Sequence, residues 1–353
     1  MADNIRIDTH KLLYHPETVA RWLSGENIYP IELELGLTNA CNHRCIFCSV
    51  DYMGYKANFL DTDLLVNNLR ELAVKGTKSV VYAGEGEPLL HKDAPYIINA
   101  TKECGIDAAM STNGVLLTPE VSKDCLKSLT WMRFSVAGIR ESTYEKIQRG
   151  KSGDLPKVLL HMEEAVRVKK DQNLKTTLGV QLLLLPDNKD EIIEMGKRLK
   201  EIGVDYFTIK PYTHHPQSHN LLEVDYHEML ALEKEIQDLE SEEFKIYFRT
   251  HAMKNLQNTR PYRQCWALPF MVYVDAKGNL WPCIRFMGKE EFKYGNLYEE
   301  SFCQIWEGEH RKEIVECFTK MKLGDACGAN CRLDEMNKYL DNLKNPGDHV
   351  NFI

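Results

Sequence analysis

From Ile31 onward, short apolar runs alternate with longer stretches whose apolar residues recur at helical spacing. The runs Ile31–Leu37, Ser79–Ala83, Ile106–Ser111, Met132–Val136, Thr177–Leu185 and Asp205–Lys210 predict six strands. The stretches Leu64–Val74, Ala94–Lys102, Pro119–Lys127, Leu155–Val168 and Lys189–Ile202 predict the helices between them. Strands alternating with helices imply successive βαβ units and a parallel sheet. Six such units are too few for a closed eight-strand barrel, so the expected fold is α/β, an open partial (β/α)6 barrel. Loops at the C-terminal ends of such strands carry the binding residues.

After Pro211 the pattern changes. Leu222–Glu240 reads as one long acidic helix and Phe244–Phe248 as a short strand. Between Cys265 and Cys283, alternating apolar residues flank Ala276-Lys277-Gly278-Asn279, a β-hairpin signature. Helices are expected around Ser301–Glu316 and Leu333–Leu343. The predicted organisation is an N-terminal extension (1–30), the barrel (31–215), a linker helix region (216–260), a small domain of hairpin plus helix (261–340) and a tail (341–353).

Composition narrows the function classes. The 353 residues are 43% hydrophobic and 27% charged, as in an ordinary globular protein. The strongest apolar run, Leu182–Leu185, is far short of a membrane span. The start, MADNIRIDTHKLL, has no secretory pattern, so a cytoplasmic protein without membrane attachment is expected. Forty-four basic against 52 acidic residues give a net charge of −8. Nucleic-acid affinity rests largely on Lys and Arg contacts to phosphate, so no nucleic-acid partner is expected. A local basic pocket for one small anion is compatible with that balance.

Eleven cysteines are many for a reducing compartment, and their odd number forbids complete internal pairing. Metal binding or catalysis is the better reading than disulfides. Cys41, Cys45 and Cys48 fall in one loop, CNHRCIFC, directly after the first predicted strand. A structural zinc site normally takes four ligands, and no fourth Cys or His has zinc-like spacing here, since His43 lies inside the loop. Three cysteines suit an iron–sulfur cube that keeps one iron open.

CxxxCxΦC with aromatic Phe47 resembles the signature of the radical S-adenosylmethionine superfamily. The resemblance implies a [4Fe–4S] cluster on Cys41, Cys45 and Cys48 whose open iron is chelated by S-adenosylmethionine. It also implies reductive cleavage of that cofactor to a 5′-deoxyadenosyl radical, and a reducing partner such as flavodoxin or ferredoxin. Gly84-Glu85-Gly86-Glu87-Pro88, after the second strand, is similar to the family's GGEP motif, which contacts the methionine amino group. Glu85 stands where that motif has its first glycine, so only Gly86, Glu87 and Pro88 carry over. By the same resemblance Ser111 and Asn113 in Ser111-Thr112-Asn113-Gly114, Ser135, and Gln181 are cofactor-binding candidates.

The second set of cysteines starts in the hairpin: Cys265, twelve residues, Gly278, four residues, Cys283. Cys327 and Cys331 form a later CxxxC pair. Four thiolates support zinc or an iron–sulfur cluster, and spacing alone does not choose. The pattern resembles the opening of SPASM and twitch domains, which implies a second, auxiliary [4Fe–4S] cluster. Cys317 or Cys303 are alternatives to Cys327 as its fourth ligand. Cys104 and Cys125 lie on or beside predicted helices, where cysteine packs as a small hydrophobe.

The segment Lys210-Pro-Tyr-Thr-His-His-Pro-Gln-Ser-His219 follows the sixth strand on the side where ligands enter. Lys210, Tyr212, His214, His215 and Arg133 are the candidates for contacting a small-molecule substrate, hydroxylated or phosphorylated. His is a natural proton acceptor near neutral pH. The resemblance implies hydrogen abstraction from a small, polar, sugar-derived substrate, an aminocyclitol, sugar or nucleotide sugar, with the auxiliary cluster as electron acceptor. Its alternatives are peptide maturation and a redox-neutral epimerase, lyase or decarboxylase. Peptide maturation ranks second because only 30 residues precede the first predicted strand. A bare iron–sulfur scaffold has no use for the GGEP-like and STNG segments.

Overall fold

The computed structural model of the chain describes residues 9–257, 260–321, 323, 327–328 and 330–352. The first eight residues of the expected N-terminal extension and the last residue of the tail lie outside them. All six predicted strands form: β1 (Glu32–Leu35), β2 (Ser79–Tyr82), β3 (Asp107–Thr112), β4 (Leu129–Ser135), β5 (Thr177–Leu184) and β6 (Tyr206–Pro211). The short run after Phe244 becomes β7 (Lys245–Phe248), which pairs parallel with β6 and makes a seventh parallel strand.

The hairpin strands are β8 (Met271–Val274) and β9 (Asn279–Trp281), followed by β10 (Gly295–Asn296). β8 returns to pair parallel with β1, placing Tyr273 beside Glu34. One continuous ten-stranded sheet results, in the order β10-β9-β8-β1-β2-β3-β4-β5-β6-β7. The second pair of cysteine segments is therefore built onto the edge of the sheet that carries the first.

Helix α1 (Pro16–Leu23) precedes the strands, and α2 (Thr62–Lys75), α3 (Ala94–Glu103), α4 (Pro119–Cys125), α5 (Glu141–Gln148), α6 (Asp154–Asp171) and α7 (Ile192–Ile202) fall between successive ones. α2 shows the local logic. Asp61 caps its start by accepting from the Leu64 amide, Gly76 ends it with φ of +101°, and Leu65, Leu69 and Leu72 turn into the core. Strand residues alternate. Met132, Phe134, Val180, Leu182, Phe207 and Ile209 belong to the apolar core under the helices. Arg133, Ser135, Gln181 and Lys210 take the opposite, half-buried face. Cys125 is fully buried in that core, while Cys104 is half-buried against it.

Three helix expectations change. Leu222–Glu240 is not one helix: only α8 (Leu232–Gln237), preceded by a single turn at Met229–Ala231, forms there. The Tyr226 phenol is drawn into the barrel wall, donating to the Leu184 carbonyl at 2.9 Å and accepting from the Tyr212 amide at 2.6 Å. Asp225 turns the chain by accepting from the His227 amide at 2.9 Å. The helix expected over Ser301–Glu316 breaks at Gly308, whose ψ of 150° separates α10 (Phe302–Glu307) from α11 (Glu309–Lys320), α9 (Thr250–Lys254) lying earlier. A Ser301–Gln304 capping box starts α10. Finally, α1 and α5 form where no helix was expected.

α1 packs Trp22 edge-on against Trp266 and Phe270, beside the helix Asp334–Lys344. Among the described residues no helix is long and apolar enough to cross a membrane.

Candidate functional site

The loop of Cys41, Cys45 and Cys48 leaves the end of β1 and is held from several sides. α5 supports it: the Arg44 and Ile46 amides donate to the carbonyls of Gln148 (3.1 Å) and Ile147 (2.9 Å). His43 is buried inside the loop, its Nε2 3.3 Å from Asp154 Oδ2 and its ring edge-on to Tyr144. The Arg44 guanidinium donates to the Cys41 carbonyl at 2.6 Å and lies over the Tyr55 ring.

The segment after β6 straps the loop from the other side. Ser218 Oγ donates to the Cys48 carbonyl at 3.1 Å, and Asn220 Nδ2 to Asp51 at 3.1 Å. Sequence reading missed His43, Asp154, Ser218 and Asn220 as supports, because their partners are distant in the chain.

The GGEP-like loop interlocks with the cysteine loop. The Glu87 amide donates to the Ala40 carbonyl at 2.9 Å, one residue before Cys41. A Cβ on Gly86 would collide with the carbonyl oxygens of Thr38 and Ala40, so only glycine fits there. The buried Glu87 carboxylate accepts from Thr112 Oγ1 (2.6 Å), the Asn113 amide (2.7 Å) and the Leu89 amide (3.1 Å). It thus ties the GGEP-like segment to STNG, and its side chain is fully engaged within the protein. Asn113 Nδ2 donates to Asn42 in the cysteine loop at 2.7 Å. Ser111 sits beside Arg133 across β3–β4, and Ser135 beside Gln181 across β4–β5.

Glu85, the departure from the motif, has its own partner. Its Oε1 accepts from the Ala276 amide of the β8–β9 turn at 2.7 Å, joining the cofactor-motif loop to the hairpin. Burial, reinforced by Asp275, pushes this carboxyl up to about 8.

The thiols come together as two sets. Burial pushes Cys41 up to about 11 and Cys45 well above the usual thiol range, and Cys45 feels Cys41 and Cys48. Burial also pushes Cys265 up to about 12 and Cys331 up to about 11. Cys283, raised chiefly by burial, feels Cys331, Cys265 and Cys327. The alternative ligands lie apart from this set: Cys303 is beside Tyr29 and Glu71, and Cys317 is exposed on α11.

Buried thiols crowded this way can ionise together only around a cationic centre that shares their charge. Among the described residues no three His, Cys, Asp or Glu side chains are gathered tightly enough to grip a single metal ion. Asn337 organises the second set. Its Oδ1 accepts from the Trp266 and Ala267 amides (2.7 and 3.0 Å), and its Nδ2 lies 3.6 Å from Cys265 Sγ.

A cavity of about 1300 Å³ runs from the edge of the first cysteine loop to the second set. Its walls include Phe47 from the first cysteine loop, Lys210 of β6, Tyr212 and His214 just after it, and Cys283, Cys327 and Cys331. Tyr212 OH donates to the Asn220 carbonyl at 2.8 Å and lies 3.2 Å from His214 Nδ1. His215 also borders the cavity, but both its ring nitrogens are engaged. Nδ1 accepts from the Gln217 amide at 3.2 Å, and Nε2 faces the Ile284 carbonyl at 3.3 Å. The ring stacks on Tyr52 with centroids 5.0 Å apart, and burial pushes its pKa down. His215 thereby links the cysteine loop and the hairpin.

Residues 35–205 match the Radical SAM superfamily and residues 265–332 the SPASM iron–sulfur cluster-binding domain. The AdoMet-dependent heme synthase of Methanosarcina barkeri is 24% identical over 326 residues, 86% of this chain and 87% of that protein. The S-adenosylmethionine-dependent nucleotide dehydratase of Lacinutrix mariniflava is 32% identical over 125 residues, 34% of this chain and 26% of that protein. Streptococcus suis SuiB bound to S-adenosylmethionine shares the fold, with a TM-score of 0.68 at 18% identity over 94% of this chain and 79% of that chain.

Proposed function

Because the chain belongs to the radical S-adenosylmethionine superfamily, with a SPASM domain and with [4Fe–4S] clusters and S-adenosylmethionine as cofactors, we propose that it is a dehydrogenase-like oxidoreductase. Its substrate in this reading is small, polar and sugar-derived: an aminocyclitol, a sugar or a nucleotide sugar. Cys41, Cys45 and Cys48 would hold the first cluster, and Cys265, Cys283, Cys327 and Cys331 the second. Phe47, Gly86, Pro88, Ser111, Asn113, Ser135 and Gln181 would border S-adenosylmethionine, with Glu87 positioning the loop that receives it.

When bound, these groups supply hydrogen-atom abstraction at the first site and an acceptor for one electron at the second. An external one-electron reductant such as flavodoxin or ferredoxin is the corresponding partner.

The observation that supports this reading is one cavity lined by Phe47 and Ser49 beside the first cysteine loop and by Cys283, Cys327 and Cys331, with Lys210, Tyr212 and His214 on its wall. Oxidising a secondary alcohol to a ketone removes one carbon-bound hydrogen atom, one electron and the hydroxyl proton. His214 would take that proton. With Tyr212 OH donating to Asn220, the His214 Nδ1–H donates to the phenol oxygen, leaving Nε2 as the proton-accepting atom. Phe47 packs with Tyr212, Ile147 and Leu185 and helps keep water from the space beside the cysteine loop.

The test uses reduced, reconstituted protein with S-adenosylmethionine and carbon-deuterated sugars, aminocyclitols and nucleotide sugars. Deuterium should pass into 5′-deoxyadenosine, and a ketone should accumulate. Deuterium transfer from a peptide, with none from any sugar, would replace this reading by peptide maturation.

A further inference from the structure

The helix Asp334–Lys344 buries Leu340 and, one turn earlier, Asn337, which is 1% exposed. Leu340 and Leu333 join the apolar cluster of Trp22 and Phe270, so Asn337 takes a place on that face where a leucine would continue the pattern. Asparagine is a poor helix former, and a buried amide is costly unless it is bonded. Its partners supply the reason for it.

The Asn337 side chain meets three consecutive residues at the opening of the second cysteine set. Oδ1 accepts from the Trp266 and Ala267 amides, and Nδ2 lies 3.6 Å from Cys265 Sγ. A backbone amide can only donate, so the atom facing those two must be the oxygen. Turning the side-chain amide over would set its NH2 against two N–H donors. The NH2 group is thereby aimed at the Cys265 sulfur.

The other three sulfurs of the set also have donors. The Leu333 amide lies 3.4 Å from Cys331 Sγ, and the Arg285 amide bonds Cys283. At Cys327 the donor is the Arg260 guanidinium, which also donates to the adjoining Gly328 carbonyl. Backbone donors come with the path of the loop, whatever the sequence. Asn337 and Arg260 are side-chain donors and depend on residue type. An N–H group bonded to a ligand sulfur draws electron density from it, and such bonds, with local charge, set the reduction potential of an iron–sulfur cluster.

We propose that Asn337, through Cys265, and Arg260, through Cys327, raise the reduction potential of the second cluster and so poise it to take the electron released when the substrate is oxidised. Both are positioning residues, since they act through the ligands. The inference deepens the electron-acceptor role and rests on Cys265, Cys283, Cys327 and Cys331 being the ligands. The substrate loses one electron, the cluster gains it, and the hydroxyl proton goes to His214.

Potentiometric titration of the reconstituted holoenzyme, followed by electron paramagnetic resonance, tests it. Protein with Cys41, Cys45 and Cys48 changed to Ala identifies the signal of the second cluster. Asn337→Asp keeps an oxygen for the two amides and puts a carboxylate oxygen where the donor stood. Arg260→Met removes a donor and its charge at similar length. Each should lower the equilibrium constant for one-electron reduction of the second cluster at least roughly tenfold, about 59 mV. The first cluster should titrate unchanged, with about eight irons per chain kept.

Fully loaded variants that titrate as the wild type does would overturn the inference, because a purely structural role leaves the potential alone. Asn337→Asp protein that cannot hold the second cluster would overturn the tuning role of Asn337, and Arg260→Met decides that of Arg260. Full iron content in Cys331→Ala would overturn the ligand assignment instead. Lowered potentials with no oxidised product from any sugar would sink the substrate reading and leave this inference standing.

Discussion

The Glu87 carboxylate accepts the Thr112 hydroxyl at 2.6 Å and, through its second oxygen, the Asn113 amide at 2.7 Å. One buried side chain thereby fixes the ends of β2 and β3 together, while its own backbone amide holds Ala40 at the entrance to the cysteine loop. The geometry of the cofactor side depends on this bond more than on any exposed contact Glu87 could make.

Glu87→Ala leaves two buried amides and a hydroxyl without an acceptor, a loss on the order of 2–4 kcal/mol. The expected result is a lower melting temperature and weaker S-adenosylmethionine binding, with both clusters kept, since Glu87 is no ligand. Equilibrium binding alongside iron analysis checks it. Unchanged cofactor affinity would mean that the Gly84–Pro88 loop lies away from the cofactor.

Gly86→Ala acts differently. The added methyl must push Thr38 and Ala40 aside, and the displaced backbone runs straight into Cys41. Reconstituted wild-type protein should hold about eight irons per chain, and this variant about four, retained on the second set of cysteines. Full iron content would show that the loop absorbs the methyl without disturbing the cluster site.

Glu85 predicts a pH dependence of stability. Its carboxyl, ordinarily near 4.5, is pushed up to about 8 in the folded chain, by burial first and by Asp275 second. Below about 4.5 both folded and unfolded states hold the proton, and the buried neutral carboxyl costs nothing extra. As pH rises toward 8 the unfolded chain releases the proton while the folded chain keeps it. Stability therefore falls across that window, by at most about 1.4 kcal/mol for each pH unit crossed. Glu85→Gln keeps an acceptor for the Ala276 amide and has nothing to titrate. Its melting temperature should gain on the wild type steadily between pH 5 and pH 8. A difference that stays constant across that range would refute the buried titration.

The second set of cysteines should matter more to product formation than to cofactor cleavage. Cys331→Ala is expected to keep some 5′-deoxyadenosine formation and to yield little oxidised product, with about four irons left. Changing Cys41, Cys45 and Cys48 together to Ala should abolish cleavage altogether. Product formed at the wild-type ratio by well-folded Cys331→Ala protein would remove the electron-acceptor role and favour a redox-neutral reaction.

The sequence by itself determined the features that depend on local order. Six strands, the five helices between them and the hairpin are legible because apolar period and turn residues act over a few positions. The loop of Cys41, Cys45 and Cys48 and the GGEP-like segment are legible because their chemistry is written in contiguous residues. Tertiary structure decided what depends on contacts between distant segments. The pairing of β8 with β1 places the second cysteine set on the same sheet as the first. The Tyr226 phenol, satisfied by β5 and Tyr212, breaks a helix that periodicity favours. Both ring nitrogens of His215 are engaged by backbone groups, which no spacing rule reveals. Arg249 and Arg332 look like ordinary surface charges in a chain of net charge −8. Only the fold brings them to the surroundings of Lys210, because electrostatic neighbourhood is a property of space and not of sequence order.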